Sequence, residues 1–338
     1  MRISSVISVQ KLGFQWGTKN PFLFCVHHED HFPEGNSDLG PDKSEFKGRN
    51  IGQDFEPRDG WRMYHGEKVP GFPHHPHRGF ETVTVVQKGY VDHSDSLGAS
   101  GRYGMGDTQW MTAGKGVQHS EMFPLLNREK DNAMELFQIW LNLPAKKKFS
   151  EPFFKMLWAE KIPKYSHSDS NGRKTRIELI AGELADREPI SPPPDSWAAD
   201  PENFVAIWII EMEPEAIFEI PAIEAGISRT VYFFNGKNIY INDTEIPFYH
   251  CADLVSDMDA EIRNGKEKSR LLLLQGRPIN EPVVQYGPFV MNSRQEIQEA
   301  YDDYVRTEFG GWPWNSGEPV HGNEGRFAKY PDGKKEVP

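Results

Sequence analysis

Apolar and polar residues alternate in short runs along the first half of the chain, and glycines interrupt the runs. Alternation with a period of two is typical of strands that bury one face. The best runs are Thr82–Val86, Tyr90–His93, Thr108–Thr112, Val117–Met122 and Glu135–Leu143. Short strands that follow each other closely, with glycine at the turns, predict a β-sandwich or barrel.

A second strand-rich region follows a polar stretch, Pro163–Arg173, which we interpret as the connector between two domains. Asn235–Gly236 between two of its strands predicts a hairpin. The expected division is 1–160, 161–290 and a final segment 291–338. The strands predicted in this region are 204–212, 216–220, 230–234, 238–241 and 271–274.

Two segments lack the strand pattern. Residues 33–70 are rich in Gly, Asp and Pro and predict a long surface insertion. Ser293 followed by Glu296 is a capping box that opens a helix over Arg294–Glu308, which Gly310-Gly311 ends. The remaining tail is expected to be an extended wrap or a mobile end.

Composition narrows the function classes. The 338 residues carry 38 basic and 50 acidic side chains, a net charge of −12, which argues against direct nucleic-acid binding. Two distant cysteines, no signal-peptide pattern and no apolar run of membrane-spanning length make a cytoplasmic location the expectation. The basic run Lys146–Lys148 is interpreted as a solvated loop.

Histidine carries the chemical signal, because nine of the 12 histidines lie in the first 119 residues. His75-Pro76-His77 and His119-Ser120-Glu121 each place two donor side chains at i and i+2, on one face of a strand. If the two strands are neighbours, three imidazoles and one carboxylate converge in a site for a divalent metal with open positions, close to those of non-haem iron enzymes. Zinc is an alternative, although four protein ligands would make a closed structural zinc site. The competing interpretation is a solvated loop beside Arg78 and a surface carboxylate.

The other candidates are weaker. His74 and His93 are expected at the rim of the site or at the surface. Phe72, Phe80 and Trp110 are candidates for an apolar pocket wall, with core packing the commoner role. A second cluster is an option for His27, His28 and His31, with Glu29 and Asp30, although packing is the favoured role. In the second barrel His250 and Cys251 are adjacent, and this barrel is expected to be metal-free and structural.

Several motifs together resemble the pirin family. They are Gly71-Phe72-Pro73, His75-Pro76-His77-Arg78-Gly79-Phe80-Glu81-Thr82-Val83, Gln109-Trp110-Met111-Thr112-Ala113-Gly114, His119-Ser120-Glu121-Met122 and Tyr286-Gly287-Pro288-Phe289-Val290-Met291-Asn292. The resemblance runs from Asn20 to about residue 305. It implies an all-β bicupin, two jelly-roll-like barrels, with one metal in the N-terminal barrel. It also implies that His75, His77, His119 and Glu121 are the ligands, normally of Fe(II), with Mn, Ni, Cu or Zn as alternatives.

The resemblance implies two functions of different classes. One is a metal-dependent dioxygenase that cleaves quercetin-like flavonols with O₂ and releases carbon monoxide, with Glu121 as base and ligand. The other is an iron-binding, redox-sensitive regulator that acts on transcription through a protein partner without turnover. A cupin isomerase without a redox metal is a weaker third. The dioxygenase is favoured. The long stretch 33–70 departs from the family pattern and suggests a lid or an oligomer contact.

Overall fold

The computed structural model describes residues 4–338. The absence of a signal-peptide pattern is predicted for the N-terminal segment, whose first three residues lie outside the described residues. Strands dominate, and the one α-helix of the described chain is Arg294–Thr307, which confirms the predicted all-β class with a C-terminal helix. Contacts divide the chain into two compact units. We call residues 27–139, 143–160 and 281–338 the histidine-rich unit, and residues up to Val26, 140–142 and 161–280 the aliphatic unit.

The grouping of the segments is not collinear with the sequence. Residues before His27 belong with the second half of the chain, and residues from Glu281 onward belong with the first half. The predicted division at residues 160 and 290 treats each domain as one continuous segment and does not include this exchange. The chain's two ends therefore each contribute to the unit that the opposite half of the sequence builds.

The aliphatic unit consists of two antiparallel sheets around a core of Ile, Leu, Val and Phe side chains. Inward residues alternate with outward ones along Lys174–Ala181, as expected for a strand with one buried face. The seven-stranded sheet has the spatial order Val6–Lys11, His250–Leu254, Ser228–Asn235, Ser269–Gly276, Ala206–Met212, Lys174–Ala181, Lys164–Ser168. The four-stranded sheet has the order Ile217–Ile220, Ala260–Asn264, Asn238–Ile241, Thr244–Pro247.

The hairpin predicted at Asn235–Gly236 is wrong. Ser228–Asn235 lies in the seven-stranded sheet, whereas Asn238–Ile241 lies in the four-stranded sheet. The turn therefore carries the chain from one sheet to the other. Gly236 adopts φ +122°, and a Cβ there would approach Ser269 Oγ to 2.2 Å, so the crossing needs glycine for space as well as for its backbone angle. An Asn-Gly pair serves both kinds of turn, and only distant partners distinguish them.

The connector predicted over Pro163–Arg173 is also wrong in structure. Lys164–Ser168 is a strand that pairs with Lys174–Ala181, so most of this stretch is a hairpin within the aliphatic unit. The sequence of this hairpin resembles a linker because Lys164–Ser168 is the edge strand of the sheet, where polar and charged side chains are common at exposed positions.

The histidine-rich unit is built from two antiparallel sheets. The part of the first sheet that lies in this unit has the order Phe153–Leu157, Thr108–Thr112, Phe80–Lys88, 132–139, 27–32. The other has the order Lys335–Glu336, Phe327–Lys329, Ser100–Gly104, Tyr90–Asp95, Val117–Met122, Gly71–His77. Their inner faces meet, since Glu121 of the second sheet bonds Thr84 and Gln138 of the first. A separate two-stranded ribbon joins Val284–Tyr286 and Phe289–Met291.

Residues 33–70 pack on the histidine-rich unit, so the predicted surface insertion is wrong for their buried part. Trp61 is 2% exposed and Tyr64 is fully buried in the core of this unit. Asp30 accepts a hydrogen bond from Tyr64 Oη at 2.6 Å and one from Arg62 Nη1 at 3.0 Å. Contacts of this kind leave no periodic pattern in an irregular segment.

The short 3₁₀ turns of the chain are Lys43–Phe46, Ala145–Lys147, Trp197–Ala199, Pro201–Asn203 and Glu308–Gly310.

The C-terminal segment follows the prediction closely. Ser293 Oγ accepts the backbone N–H of Glu296 at 3.2 Å, which confirms the cap of the helix Arg294–Thr307. Of the two alternatives for the tail, the structure shows the extended wrap. Phe327–Lys329 pairs with Ser100–Gly104 and extends the second sheet of the histidine-rich unit.

Candidate metal centre

The two histidine motifs lie on neighbouring strands, as predicted. Gly71–His77 and Val117–Met122 are antiparallel, with His75 opposite His119. Residues two apart on a strand share a face, so His77 lies on the same side as His75. The ligand atoms of the three histidines all lie within 4.8 Å of one another, and no other such group of three or more occurs within residues 4–338.

Backbone carbonyls fix the tautomers of two of these rings. His75 Nδ1 lies 2.8 Å from Pro73 O, and His77 Nδ1 lies 3.4 Å from Pro288 O. A carbonyl oxygen only accepts, so each ring donates from Nδ1, and Nε2 carries the lone pair that a metal would use. This is the arrangement in which protein histidines bind metals.

His119 has buried ring nitrogens that nothing in the described chain satisfies. Both Nδ1 and Nε2 lack a hydrogen-bond partner, and the nearest carboxylate oxygen, Glu121 Oε2, is 3.9 Å from Nε2. That separation is too long for a hydrogen bond. Buried polar atoms without partners are rare and call for an explanation. A divalent cation among the three rings would satisfy Nε2, so the residues present fit a metal.

Burial keeps the three imidazoles neutral. Desolvation lowers the pKa of His75 to about 4, and it lowers the pKa of His77 and of His119 well below the ordinary value for histidine. The neighbouring rings repel a proton as well. Metal binding requires the unprotonated ring, so this environment prepares the site at neutral pH.

Glu121 lies beside the triad and is held at both carboxylate oxygens. Gln138 Nε2 donates to Oε2 at 2.7 Å. The single proton of Thr84 Oγ1 is shared between Oε1 at 3.0 Å and Gln138 Oε1 at 2.8 Å. Burial raises the pKa of Glu121, while the charge of His93 and these two hydrogen bonds oppose the rise. A carboxylate whose pKa is raised is a stronger base than an ordinary carboxylate.

The sequence predicts His93 at the rim of the site or at the surface, and the surface position is wrong. It is fully buried on the strand next to Val117–Met122, opposite Glu121, with its ring centre 5.6 Å from that of His119. Its Nε2 lies 3.3 Å from Asp95 Oδ2. The spacing His93-Ser94-Asp95 repeats the i, i+2 pattern of the two recognised motifs, and this signal could have found it.

Gln138 and Thr84 were also missed, although both lie on strands that the sequence predicts. Thr84 is buried and Gln138 is half-buried, and their strands bury further polar side chains, among them Thr82 and Glu135. Polar residues within a strand that is predicted to be buried are a usable sign of a polar interior, because buried polar groups are costly without partners.

The aromatic candidates divide between core and site. Phe80 is buried with its ring centre 5.0 Å from that of His77. Phe72 is partly buried, and its ring centre lies 6.4 Å from that of His75. Trp110 is fully buried on a central strand of the other sheet. Phe72 and Phe80 therefore remain the aromatic neighbours of the triad.

Three histidines outside the triad pack against neighbouring side chains. His74 is exposed and stacks on Trp312, with ring centres 4.9 Å apart. His28 Nδ1 lies 2.8 Å from Tyr64 Oη, and burial lowers its pKa to about 3. His27 Nε2 lies 3.3 Å from Glu135 Oε1. Within residues 4–338, these histidines do not form a second group of three or more metal-binding side chains.

In the aliphatic unit, His250 Nδ1 bonds the carbonyl of Phe248, and Cys251 is a buried free thiol. The core between its sheets is made of apolar side chains. That this unit holds no metal stays a prediction.

The fold and the site define a two-cupin protein with one candidate metal centre. The pirin family model matches residues 20–141, and the model of the pirin C-terminal cupin domain matches residues 207–310. The chain belongs to the pirin family. No helix between residues 4 and 338 has both the length and the apolarity to cross a bilayer.

Named relatives are similar over most of their length. A pirin-like protein of Solanum lycopersicum is 36% identical over 69% of this chain and 75% of that protein. Pirin-1 of Arabidopsis thaliana is 35% identical over 71% of this chain and 78% of that protein. A crystal structure described as quercetin 2,3-dioxygenase from Acinetobacter baumannii is 27% identical, covers 91% of this chain and 99% of that one, and superposes with a TM-score of 0.71.

Proposed function

We propose that this protein is a metal-dependent dioxygenase that cleaves quercetin-like flavonols with O₂ and releases carbon monoxide. The observation that carries the proposal is the triad of neutral histidines, with His75 half-buried, His77 and His119 buried, and both nitrogens of His119 unpartnered. The likeness to a protein described as quercetin 2,3-dioxygenase supports the choice of substrate. We propose separately that the protein is cytoplasmic.

His75, His77, His119 and Glu121 would hold one divalent metal, with Fe(II) the expected ion and Mn, Ni, Cu or Zn as alternatives. Bound there, the metal supplies Lewis acidity and, for a redox-active ion, one-electron chemistry toward dioxygen. The neutral Nε2 atoms of His75 and His77 are already oriented by the carbonyls of Pro73 and Pro288.

Glu121 is the base of the proposed reaction. A flavonol must lose the proton of its ring hydroxyl to become an electron-rich anion, and a carboxylate beside the site can take that proton. The hydrogen bonds from Thr84 and Gln138 hold both oxygens in place before and after the transfer. Burial raises the pKa of Glu121 and so strengthens it as a base.

The balance of the proposed reaction is one flavonol and one O₂ in, one carbon monoxide and one opened ester out. One ring carbon leaves with its oxygen, and both atoms of O₂ enter the larger product. Phe72 and Phe80, which border the triad, offer apolar surface to a flat aromatic substrate.

The test is quercetin loss and carbon monoxide release by purified protein loaded with each candidate metal in air. A strong chelator should abolish both, and a single metal should restore them. The double variant His119→Ala, Glu121→Ala should be inactive, whereas His74→Ala, which removes an exposed neighbour of the ligands, should keep full activity. Failure of every metal-loaded form with several flavonols would sink the dioxygenase and leave the regulatory function, tested by a partner whose affinity depends on the metal.

A further inference from the structure

Lys148, the third residue of the basic run, is buried, so the solvated loop predicted for it is wrong. Lys148 is 1% exposed, and its Nζ donates to Gly79 O at 2.7 Å and to Val290 O at 3.0 Å. Burial lowers the pKa of Lys148 to about 8, against the opposing charges of Glu281 and Glu296. An ammonium group is expensive to bury unless its donors are used.

The two carbonyls that Lys148 bridges belong to segments that touch the metal centre. Gly79 follows the strand that carries His75 and His77. Val290 lies in the strand Phe289–Met291, and its N–H donates to Arg78 O at 3.0 Å. The approach is close: Gly79 has φ +86°, and a Cβ there would come within 2.0 Å of Val290 O. Both carbonyl oxygens accept hydrogen bonds from the same ammonium group, which therefore ties the two segments together.

The segment held in this way supplies the hydrogen bond that orients a ligand. Pro288 lies two residues before Val290, and its carbonyl oxygen is 3.4 Å from His77 Nδ1. A hydrogen bond of this length is at the long end of the useful range, so a small shift of Pro288 weakens it further. The position of Pro288 is therefore transmitted directly to the ring of His77.

We infer that Lys148 is a positioning residue of the metal centre, which acts through Val290 and Pro288 on the tautomer and orientation of His77. This inference rests on the metal site of the proposed function. It also gives a role to the motif Tyr286–Asn292, which lies far from the ligands in sequence. Groups that orient a metal ligand through its second nitrogen typically change metal affinity about 10- to 100-fold when they are removed.

The experiment measures Co(II) binding to the full chain by chelator competition, together with the visible spectrum of the Co(II) form. Lys148→Met keeps the length of the side chain and removes its donors and charge. We expect the affinity for Co(II) to fall about 10-fold or more and the ligand-field bands to change. The matched control is Lys146→Met, an exposed lysine of the same run, which should match the wild type in both measurements.

The melting temperature of each metal-free variant separates positioning from stability. A lower melting temperature of Lys148→Met with unchanged Co(II) affinity and an unchanged spectrum would overturn the inference. If Lys148→Met does not fold, Lys148→Gln, which keeps a donor on a shorter side chain, replaces it with the same expected direction. Turnover does not enter the measurement. Wild-type protein that binds Co(II) without releasing carbon monoxide would refute the dioxygenase alone, and wild-type protein that binds no Co(II) would refute the metal site itself.

Discussion

Asp92 and Arg102 form an ion pair inside the histidine-rich unit, and breaking it is a severe test of how this unit is held together. Both side chains are fully buried, and two hydrogen bonds join them, Nε to Oδ1 at 2.6 Å and Nη2 to Oδ2 at 2.7 Å. The tail completes the network. The backbone N–H of His321 donates to Asp92, and Arg102 Nη1 donates to the carbonyls of Gly322 and Glu324.

Removing one partner leaves a buried charge without compensation, which costs about 3–5 kcal/mol. Asp92→Ala and Arg102→Met should each lower the free energy of unfolding by this amount. The double variant should lose clearly less than the sum of the two, because it leaves no isolated charge. Loss of the anchor should also expose the tail from residue 321 onward to protease.

Urea unfolding followed by tryptophan fluorescence measures the first effect, and limited proteolysis measures the second. The matched control is Lys115→Ala, which breaks an exposed ion pair with Glu151 and should cost about 1 kcal/mol or less. Single variants that unfold like the control, or a double variant that equals the sum of the singles, would refute the reasoning.

Three further predictions concern protonation, the base and the second core. Because the folded pKa of His75 is about 4 against an ordinary 6.5, the unfolded chain binds the extra proton first. The metal-free protein should thus lose stability as pH falls from 6.5 toward 4, and His75→Gln should flatten that slope in urea titrations. Gln138→Leu should raise the pKa of Glu121 and move the acid limb of the kcat/KM profile to higher pH; an unchanged profile would contradict this. Leu273→Ala should lower the free energy of unfolding by about 2–5 kcal/mol and leave the Co(II) affinity unchanged. The control Val305→Ala, at an exposed position, should change neither the free energy of unfolding nor the Co(II) affinity.

The strands and the triad could be predicted because their signals are local. Strand spacing and the i, i+2 pairs of His75 with His77 and His119 with Glu121 are visible within a few residues. The bounds of Thr108–Thr112, Val117–Met122 and Asn238–Ile241 agree with the prediction to the residue. Glycines at the turns supplied the boundaries.

What could not be predicted depends on partners far away in sequence. Lys148 resembles its exposed neighbour Lys146 until Gly79 and Val290 are placed around it. Asn235–Gly236 has the same local pattern whether it closes a hairpin or crosses between sheets. The tail residues reveal their role only beside Asp92 and Arg102, more than 200 positions earlier. In each case a long-range contact decides, and the local pattern does not.

The central claim is best tested by the stoichiometry of a single reaction mixture. Fe(II)-loaded protein, prepared without oxygen, is mixed with quercetin and a known amount of O₂, and quercetin, O₂ and carbon monoxide are measured together. The account predicts that the three change in equal amounts and that the double variant His119→Ala, Glu121→Ala changes none of them. Oxygen uptake without carbon monoxide, or quercetin that persists beside fully metal-loaded protein, would contradict it.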